Sequence, residues 1–246
     1  MGRVIVNTFG VMRRNPIQVF LLCLFVYVLS LGLNLGSVRF IAVPQSTAIF
    51  VRAVVAILSY LAFTFVYAAV CWVVHEDSSG RKTRLAEAVQ IGLKRLLPLF
   101  LLVIVSLLGF AAGLVLLVIP GLILAVRYFV SGSVCVIEGE GVKGSLRRSA
   151  ALTKGHRWKL LVLLILIYAV STVLTFIPIL IYMKLAGGFM NAMMTYQLAG
   201  VSVQLAAAPL TIFAVALQYV SANVVYCELR RVKEAGLPQQ LAAVFS

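Results

Sequence analysis

Apolar and polar positions are distributed along this chain in long blocks, with six apolar segments separated by short charged ones. Most of the apolar segments approach the ~20 residues that an α-helix needs to cross the hydrocarbon core of a bilayer. They show no alternation with a period of two, so the pattern favours helices over a barrel of strands. We therefore predict an all-α, polytopic transmembrane helical bundle with spans at about residues 16–33, 53–74, 97–119, 121–137, 160–183 and 207–227.

The fourth apolar segment, 121–137, is the shortest, at about 25 Å by helical rise. It follows Ile119-Pro120-Gly121, which we interpret as a tight hairpin turn, because proline stops one helix and glycine lets the next one begin. Charge supports the span, since omitting it would place the basic segment 143–159 on the opposite side of the membrane. In the third span, Gly109-x-x-x-Gly113 fits close packing between helices.

The basic residues determine the predicted orientation. With the N-terminus inside, all but four of the 21 Lys and Arg residues fall in cytoplasmic segments, as expected of cytoplasmic loops. The exceptions are Arg39, Arg52 and Lys184 outside, and Arg127 within the fourth span. The first apolar stretch exceeds the core of about 7 to 15 residues found in secretory signals, and no cleavage site follows, so we interpret it as a retained span. We expect residues 1–246 to form a single integral membrane domain with both termini in the cytoplasm.

A weak repeat underlies this arrangement. Apolar residues recur at helical spacing, with basic residues beside them, ahead of the first, third and fifth spans; examples are Ile5, Phe9 and Met12 ahead of the first. We infer three hairpins of two spans, each preceded by a cytoplasmic amphipathic helix. The uncharged segment 186–205 is either an interfacial helix or a re-entrant one, and we favour the interfacial helix.

Composition narrows the class further. The chain is 63% hydrophobic and 11% charged, whereas soluble domains have about half apolar and about a quarter charged residues. The net charge of +14 comes from basic residues that flank the spans, so anionic lipid headgroups are the expected partners rather than nucleic acid. A membrane-protein partner and a second copy of the chain are partners that the sequence leaves open.

Groups suited to catalysis do not converge in the sequence. All seven carboxylates lie in cytoplasmic segments or at cytoplasmic span ends, which argues against a proton relay at the midplane. The two histidines belong to different loops, and the four cysteines lack the spacing of a zinc or redox pair. We predict no catalytic, cofactor or metal site and expect no enzymatic activity.

Five basic residues are candidate contacts for anionic lipid: Arg127, Lys143, Arg147, Arg148 and Lys154. Arg127 would lie about 9 Å into the fourth span, where a guanidinium is costly unless it pairs or reaches water. Either it snorkels to the outer interface or bonds neighbouring carbonyls, or it binds a lipid phosphate through its planar fork. The other four lie on a basic helix predicted up to Gly155, which serves as a structural connector or as a docking surface for anionic lipid or a partner protein.

One stretch carries a resemblance. Pro120-Gly121, Arg127-Tyr128 and Glu138-Gly139-Glu140-Gly141 precede Ser145-Leu146-Arg147-Arg148-Ser149, and the pattern continues to Trp158. This order resembles the membrane domain attached to some bacterial glycerophosphoryl diester phosphodiesterases and the stand-alone YciC-like inner-membrane proteins. The similarity is specific over roughly 117–160 and architectural elsewhere. It implies a multi-pass protein of the bacterial plasma membrane. The phosphodiesterase domain of the fused relatives carries acidic metal ligands that this sequence lacks, so enzymatic activity is not implied.

The sequence thus favours a non-enzymatic membrane protein that binds or organises phospholipid, or that acts as an accessory membrane subunit. The alternative is a small transporter or channel. It would need a polar pathway, yet the spans contain mostly isolated polar side chains, such as Ser59, Ser106, Ser171, Thr172 and Asn223. An intramembrane enzyme is the third hypothesis.

Overall fold

The computed structural model describes residues 2–38, 45–81, 83–116 and 118–234, and these ranges are helical almost throughout, without a strand. The helices are α1 (Gly2–Arg14), α2 (Pro16–Val38), α3 (Gln45–Ser78), α4 (Leu85–Leu116), α5 (Val118–Tyr128), α6 (Ser131–Ile137), α7 (Val142–Thr153), α8 (Arg157–Leu185) and α9 (Phe189–Glu234). The predicted all-α fold class is confirmed.

Within these ranges, five helices are long and apolar enough to cross a membrane: Pro16–Leu33, Ser46–Ser78, Leu85–Ala111, Arg157–Leu185 and Ser202–Glu234. Large apolar side chains such as Ile17, Leu97, Leu108 and Leu180 are exposed on the outside of the bundle. This surface suits hydrocarbon rather than water. α3 lies at the centre, where Val66, Val70 and Val73 are fully buried between α2 and α9.

The fourth predicted span has a different structure from the one predicted. α4 ends at Leu116 and α5 begins at Val118, so Pro120 and Gly121 lie in the first turn of α5 and not in a turn between helices. Proline is tolerated there, because the first N–H groups of a helix have no intrahelical acceptor. α4 and α5 pack closely where a Cβ on Gly113 would lie 3.0 Å from Gly121 Cα, whereas a Cβ on Gly109 would meet nothing within 4 Å.

Segment 121–137 is also not one helix. α5 ends at Tyr128, and after Phe129 and Val130 the short α6 begins at Ser131. The Ser131 hydroxyl donates to the Tyr128 carbonyl at 2.6 Å, which satisfies one of the carbonyls that the end of α5 leaves free. α6 has 7 residues, most of them buried, and is about 10 Å long by helical rise. It therefore lies inside the bundle.

Two of the three predicted amphipathic helices exist as separate elements. α1 ends one residue before α2, and α7 ends at Thr153, with Gly155 in the left-handed conformation (φ +89°) that commonly terminates a helix. The helix predicted ahead of the third span is wrong as a separate element. α4 runs without a break through Pro98, since surrounding helices in a membrane bundle compensate for the missing proline N–H.

α1 contacts the bundle through a stripe beside the predicted apolar face of Ile5, Phe9 and Met12, and Met12 of that face packs against the bundle as well. Thr8 and Val11 are buried and Val4 packs behind them, whereas Phe9 is half exposed. Residues four and seven positions apart share a helix face, so the contact stripe is Val4, Thr8 and Val11. Ile5 and Phe9 lie beside it, on the outer surface.

The prediction of an interfacial or re-entrant helix at 186–205 is wrong. From Phe189 the backbone belongs to α9, a single helix of 46 residues that continues through Pro209 to Glu234. By helical rise this helix is about 69 Å long, more than twice the thickness of a hydrocarbon core. No charged residue interrupts the apolar run, and surrounding helices compensate for the missing N–H of Pro209, which is why the longer helix forms.

Most of the charged side chains lie at one end of the bundle, which we call the charged end. Arg14 at the end of α1 contacts Asp77 at the end of α3 at 2.6 Å, and Arg148 of α7 contacts Glu234 at the end of α9, also at 2.6 Å. α4 begins here too, because Arg95 lies against Gly139 in the loop between α6 and α7. The charged end therefore includes α1, α7 and the ends of three long helices.

Candidate functional site

A cavity of about 510 Å³ lies inside the bundle between α3, α4, α5, α6, α8 and α9. We call it the tyrosine cavity, because Tyr60, Tyr67, Tyr128, Tyr168 and Tyr219 line it, together with Phe63 and Phe129. None of the described side chains that line it is charged. Its volume lies within the range of about 300 to 1,000 Å³ typical of small-molecule sites.

The tyrosine cavity lies at a defined depth. By helical rise, Tyr67 is about 15 Å along α3 from Asp77, and Tyr219 is about 14 Å along α9 from Glu228. Both reference carboxylates belong to the charged end. The cavity therefore lies in the half of the bundle nearer the charged end, within the apolar part of the helices.

A chain of hydrogen bonds crosses the bundle beside this cavity. The Tyr67 hydroxyl lies 3.1 Å from Ser133 Oγ, which donates to Asn223 Oδ1 at 2.7 Å, and Asn223 Nδ2 donates to the Tyr219 carbonyl at 2.8 Å. Ser133 and Asn223 are fully buried. These bonds join α3, α6 and α9, so Asn223, which looked isolated in the sequence, bonds directly to Ser133 of α6 and through it is connected to Tyr67 of α3.

Other hydroxyls remain without such partners. Ser106 lines the tyrosine cavity, and its buried Oγ has no hydrogen-bond partner among the described residues. The same holds for Ser59 and Ser171 in the described chain. In the described spans, the Tyr67–Ser133–Asn223 chain thus occurs beside buried hydroxyls that have no partner.

Arg127 lies at the edge of the cavity. Its Cζ is 5.7 Å from the ring centroid of Tyr128, which is within the range of a cation–π contact. Its carbonyl accepts a hydrogen bond of 2.8 Å from Ser149 of α7, so Arg127 lies next to α7 and not near the opposite end of the bundle. Snorkelling toward the outer interface, one of the sequence-based alternatives, does not fit this position. The guanidinium is exposed and forms no ion pair in the part of the chain that the structure describes.

α7 separates its basic residues into two environments. Lys143 and Arg147, four positions apart, are exposed on one face of α7, while Ser145 and Ser149 are buried on the other. Lys154 follows the last residue of α7 and is also exposed, and none of these three basic residues makes an ion pair within the described ranges. We call Lys143, Arg147 and Lys154 the collar.

Arg148 does not belong to the collar. Its Nε donates to Glu138 Oε2 at 3.1 Å, and its Nη2 donates to Glu234 Oε1 at 2.6 Å. Tyr226 donates to Glu138 Oε1 at 2.8 Å, and Arg230 donates to Glu234 Oε2 at 2.9 Å. We call these five residues the clamp. Since both carboxylates engage Arg148, the structure gives this predicted lipid contact an internal role.

The electrostatics of Arg148 follow from these partners. Partial burial disfavours its charge, but Glu138 and Glu234 outweigh that effect through charge and hydrogen bonding, so the pKa of the guanidinium is raised. An opposite charge within hydrogen-bond distance favours the charged form. The clamp is therefore an ionised, hydrogen-bonded connection between α7, the loop before it and the end of α9.

A second cavity, of about 1,090 Å³, lies at the charged end between α1, α3 and α9. Its carboxylates are bound by the chain itself: Asp77 accepts from Arg14 and Asn15, and Glu228 accepts from Asn7 at 2.7 Å. In the described residues, no group of three or more His, Cys, Asp or Glu side chains is placed to hold a metal ion.

Comparison with known proteins gives one match. Residues 99–229 match the family described as a domain of unknown function, DUF7847. Neither a curated protein nor a solved structure matches the chain. The matched stretch runs from α4 almost to the end of α9 and includes Arg127, the collar, Ser133 and Asn223. Because it covers more than half of the sequence, the chain belongs to the DUF7847 family.

Proposed function

We propose that this chain is a non-enzymatic integral membrane protein with six spans that binds or organises anionic phospholipid at its charged end. The observation that carries the proposal is the collar. Lys143 and Arg147 on α7 and Lys154 just after its end are exposed, and none has an acidic partner among the described residues. An unpaired basic face at the end of a set of apolar helices suits anionic headgroups.

The distribution of acidic groups supports this reading. Glu138 and Glu234 are engaged in the clamp, Asp77 is bound by Arg14, and Glu228 accepts from Asn7. Each of these four carboxylates accepts at least one hydrogen bond from a group of the chain itself. The collar remains available to anions from outside, and each of its residues contributes at most about 1 kcal/mol of attraction to an anionic surface.

The course of the chain supports six crossings. α4 begins at the charged end, where Arg95 lies against Gly139. α5 and α6 together return the chain to the same end, where Glu138 contacts Arg148. By helical rise α5 is about 16 Å and α6 about 10 Å long, so the proposed fourth span consists of these two pieces in succession, with Phe129 and Val130 between them.

Charge bias and resemblance support the location. Basic residues concentrate in the segments that join the helices at the charged end, which is the pattern of cytoplasmic loops. We therefore place the charged end, with both termini, in the cytoplasm. The resemblance to YciC-like inner-membrane proteins supports a bacterial plasma membrane.

Removal of the collar charges tests the proposal. A variant with Lys143→Gln, Arg147→Gln and Lys154→Gln should retain its fold and lose most of the anionic lipid that co-purifies, measured by native mass spectrometry. The difference should shrink as ionic strength rises, because salt screens exposed charges. Replacing Arg52 and Lys184 by Gln removes exposed charges elsewhere and serves as the control. Unchanged lipid retention in the collar variant would favour a purely structural role for α7.

The second candidate function is a small transporter or channel. The tyrosine cavity and the buried chain from Tyr67 through Ser133 to Asn223 favour it. The two functions differ in one measurement. A transporter would carry solute across proteoliposomes that contain the purified protein, whereas a lipid-binding protein would give no flux above that of empty vesicles.

A further inference from the structure

The tyrosine cavity borders the outside of the bundle. Two of its lining residues, Tyr60 on α3 and Tyr168 on α8, are 38% and 48% exposed. Both belong to helices that are long and apolar enough to cross a membrane. A side chain that lines a cavity and is also exposed lies at the cavity mouth. At this depth, the medium outside a membrane-crossing helix is hydrocarbon.

From these features we infer that the tyrosine cavity takes one acyl chain of a membrane lipid, which enters sideways from the bilayer. The described lining contains no charged side chain, and its surface is mostly aromatic and aliphatic. Aromatic rings provide large apolar contact areas with little loss of side-chain freedom. A hydrocarbon chain that moves from bilayer to cavity exchanges one apolar surrounding for another, and the additional favourable energy comes from close packing.

The polar end of the lipid also has a place. Tyr128 lines the cavity, the Arg127 guanidinium lies over its ring, and the backbone carbonyl of Arg127 accepts a hydrogen bond from Ser149 of α7. Arg127 has no ion pair in the described part of the chain. A phosphate beside it would accept paired N–H donors from the planar fork. The acyl chain then runs from Arg127 into the cavity, and the headgroup faces the charged end.

Charge selects the lipid over a lipophilic cation. Tyrosine faces attract cations, and a cavity with five tyrosines would otherwise suit a quaternary ammonium group. Arg127 at the edge repels a cation that approaches, and no carboxylate of the described lining compensates for that charge. An anionic phospholipid is instead attracted: its phosphate meets the positive charge of Arg127, and its acyl chain meets the uncharged lining of the cavity. The cavity and the edge charge together therefore fit a phospholipid.

Photo-crosslinking shows directly which residues the lipid acyl chain contacts. The full-length protein is reconstituted in vesicles of phosphatidylglycerol and phosphatidylethanolamine that contain a trace of phospholipid with a diazirine on one acyl chain. After irradiation, peptide mapping compares labelled positions. We expect labelling at Tyr60, Ser106 and Tyr168 in excess of that at outward-facing Leu107, which is 60% exposed on the same helix as Ser106. Labelling of the lining that is no greater than that of Leu107 overturns the inference.

Filling the cavity provides the matched test. Ser106→Trp places a large ring in the space that the unpartnered Ser106 hydroxyl now borders, and it should remove most of the labelling of Tyr60 and Tyr168. Leu107→Trp adds the same ring to the outer surface and should leave that labelling unchanged. Ser106→Leu fills less space and decides the matter if the tryptophan variant does not fold. Undiminished labelling in a folded Ser106 variant contradicts the inference.

The inference is separable from the collar. In the Lys143, Arg147 and Lys154→Gln variant, the tyrosine cavity is intact, so labelling of its lining should persist even where lipid retention at the charged end falls. Competition by an excess of a lipophilic quaternary ammonium compound should not displace the photolabel. Displacement would assign the cavity to cations, and the lipid assignment would then be wrong.

Discussion

The Nη2 of Arg148 lies 2.6 Å from Oε1 of Glu234, a residue 86 positions later in the chain. The same guanidinium donates through Nε to Glu138. One side chain on α7 thus connects the loop that follows α6 to the last turn of α9. Because α6 is buried inside the bundle, this contact fixes a peripheral helix to the core.

Replacing Arg148 should therefore destabilise the protein. Arg148→Leu leaves Glu138 with Tyr226 and Glu234 with Arg230. We expect a loss of about 1 kcal/mol in the free energy of unfolding, since hydrogen bonds to charged groups contribute roughly 1.5 to 3 kcal/mol and exposure reduces that value. The side chains of Arg148 and Glu234 are 33% and 40% exposed. A thermal melt in detergent measures the change.

Arg147→Leu is the matched control. Arg147 is the neighbouring residue, is exposed, and forms no ion pair within the described ranges, so its replacement should alter stability by less than about 0.5 kcal/mol. Equal melting temperatures for the two variants would show that the clamp contributes nothing measurable.

The pKa of Arg148 sets the expected pH dependence of this contribution. Burial works against the charge, but the two carboxylates raise the pKa of the guanidinium in the folded state. A raised pKa gives stability that is complete below the unfolded value and is lost only as pH rises through the folded one. Arginine is effectively always protonated. The difference between wild type and Arg148→Leu should therefore stay constant between neutral and moderately alkaline pH.

Much of the fold was predictable from local patterns. Apolar segments of sufficient length gave the helical class, and Gly155 correctly marked the end of α7. The break between α5 and α6 was not predictable, because Phe129 and Val130 carry no signal that stops a helix. The continuity of α4 through Pro98 depends on the packing of neighbouring helices. The local sequence around Pro98 carries no information about that packing.

The site was predictable only in its parts. Arg127 and the basic residues of α7 were recognisable from residue type and position. The Tyr67–Ser133–Asn223 chain and the clamp bonds from Arg148 to Glu234 and from Tyr226 to Glu138 join residues 66 to 90 positions apart, and a single sequence carries no record of such pairings. Ser133 and Tyr67 were therefore missed as members of a polar network. The tyrosine cavity needed the packing of six helices and had no local signal.

Removing the Ser133 hydroxyl from the Tyr67–Ser133–Asn223 chain should lower the free energy of unfolding. Ser133→Ala takes a hydrogen-bond partner from both Tyr67 and Asn223, whose amide is fully buried. Hydrogen bonds between membrane helices contribute on average about 0.6 and at most about 1.7 kcal/mol, so we expect a loss of roughly 1 kcal/mol in the free energy of unfolding. Thermal unfolding followed by circular dichroism would measure it.

Ser131→Ala serves for comparison. Ser131 is also buried in α6, but its hydroxyl bonds only the Tyr128 carbonyl three residues earlier. Its replacement disturbs no contact between helices that the structure describes and should cost less. A larger effect at Ser131 than at Ser133 would contradict a structural role for the chain across the bundle.

Two glycines with positive φ separate backbone strain from side-chain contact. Gly139 has φ +72°, and a Cβ there would lie 2.5 Å from Arg95 Nη2; Gly155 has φ +89° and open space around it. Left-handed backbone costs a non-glycine residue roughly 1 to 2 kcal/mol, so Gly139→Ala and Gly155→Ala should both lower the melting temperature. Gly139→Ala should do so more, because Arg95 must also move.

A double variant isolates the contact. Arg95→Ala removes the guanidinium that the new methyl group would meet. Adding Arg95→Ala to Gly139→Ala should therefore restore only that part of the loss in melting temperature by which Gly139→Ala exceeds Gly155→Ala. Additive effects would show that Arg95 does not pack on Gly139, since residues in contact are expected to couple.

Thiol accessibility tests the proposed six-span topology. In a background without native cysteines, Gly141→Cys places a thiol in an exposed position of the charged end, where a Cβ meets nothing within 4 Å. Ser46→Cys places one at the exposed start of α3, near the opposite end. In intact cells, a membrane-impermeant maleimide should label only Ser46→Cys, and a reporter fused after Ser246 should report cytoplasm. Labelling of Gly141→Cys before lysis would overturn the orientation.

Arg127 gives the sharpest test of lipid binding, because its charge and its shape can be changed separately. Arg127→Lys keeps the charge but loses the fork that binds phosphate through paired donors, so binding of phosphatidylglycerol should weaken while the melting temperature stays near that of wild type. Arg127→Leu removes the charge and should abolish the contact. It should not lower stability, because Arg127 is exposed and no ion pair of the described chain depends on it. Arg52→Lys and Arg52→Leu are the controls, measured in the same detergent. If both Arg127 variants bind lipid as wild type does, the guanidinium only reaches for the interface and the phosphate contact is wrong.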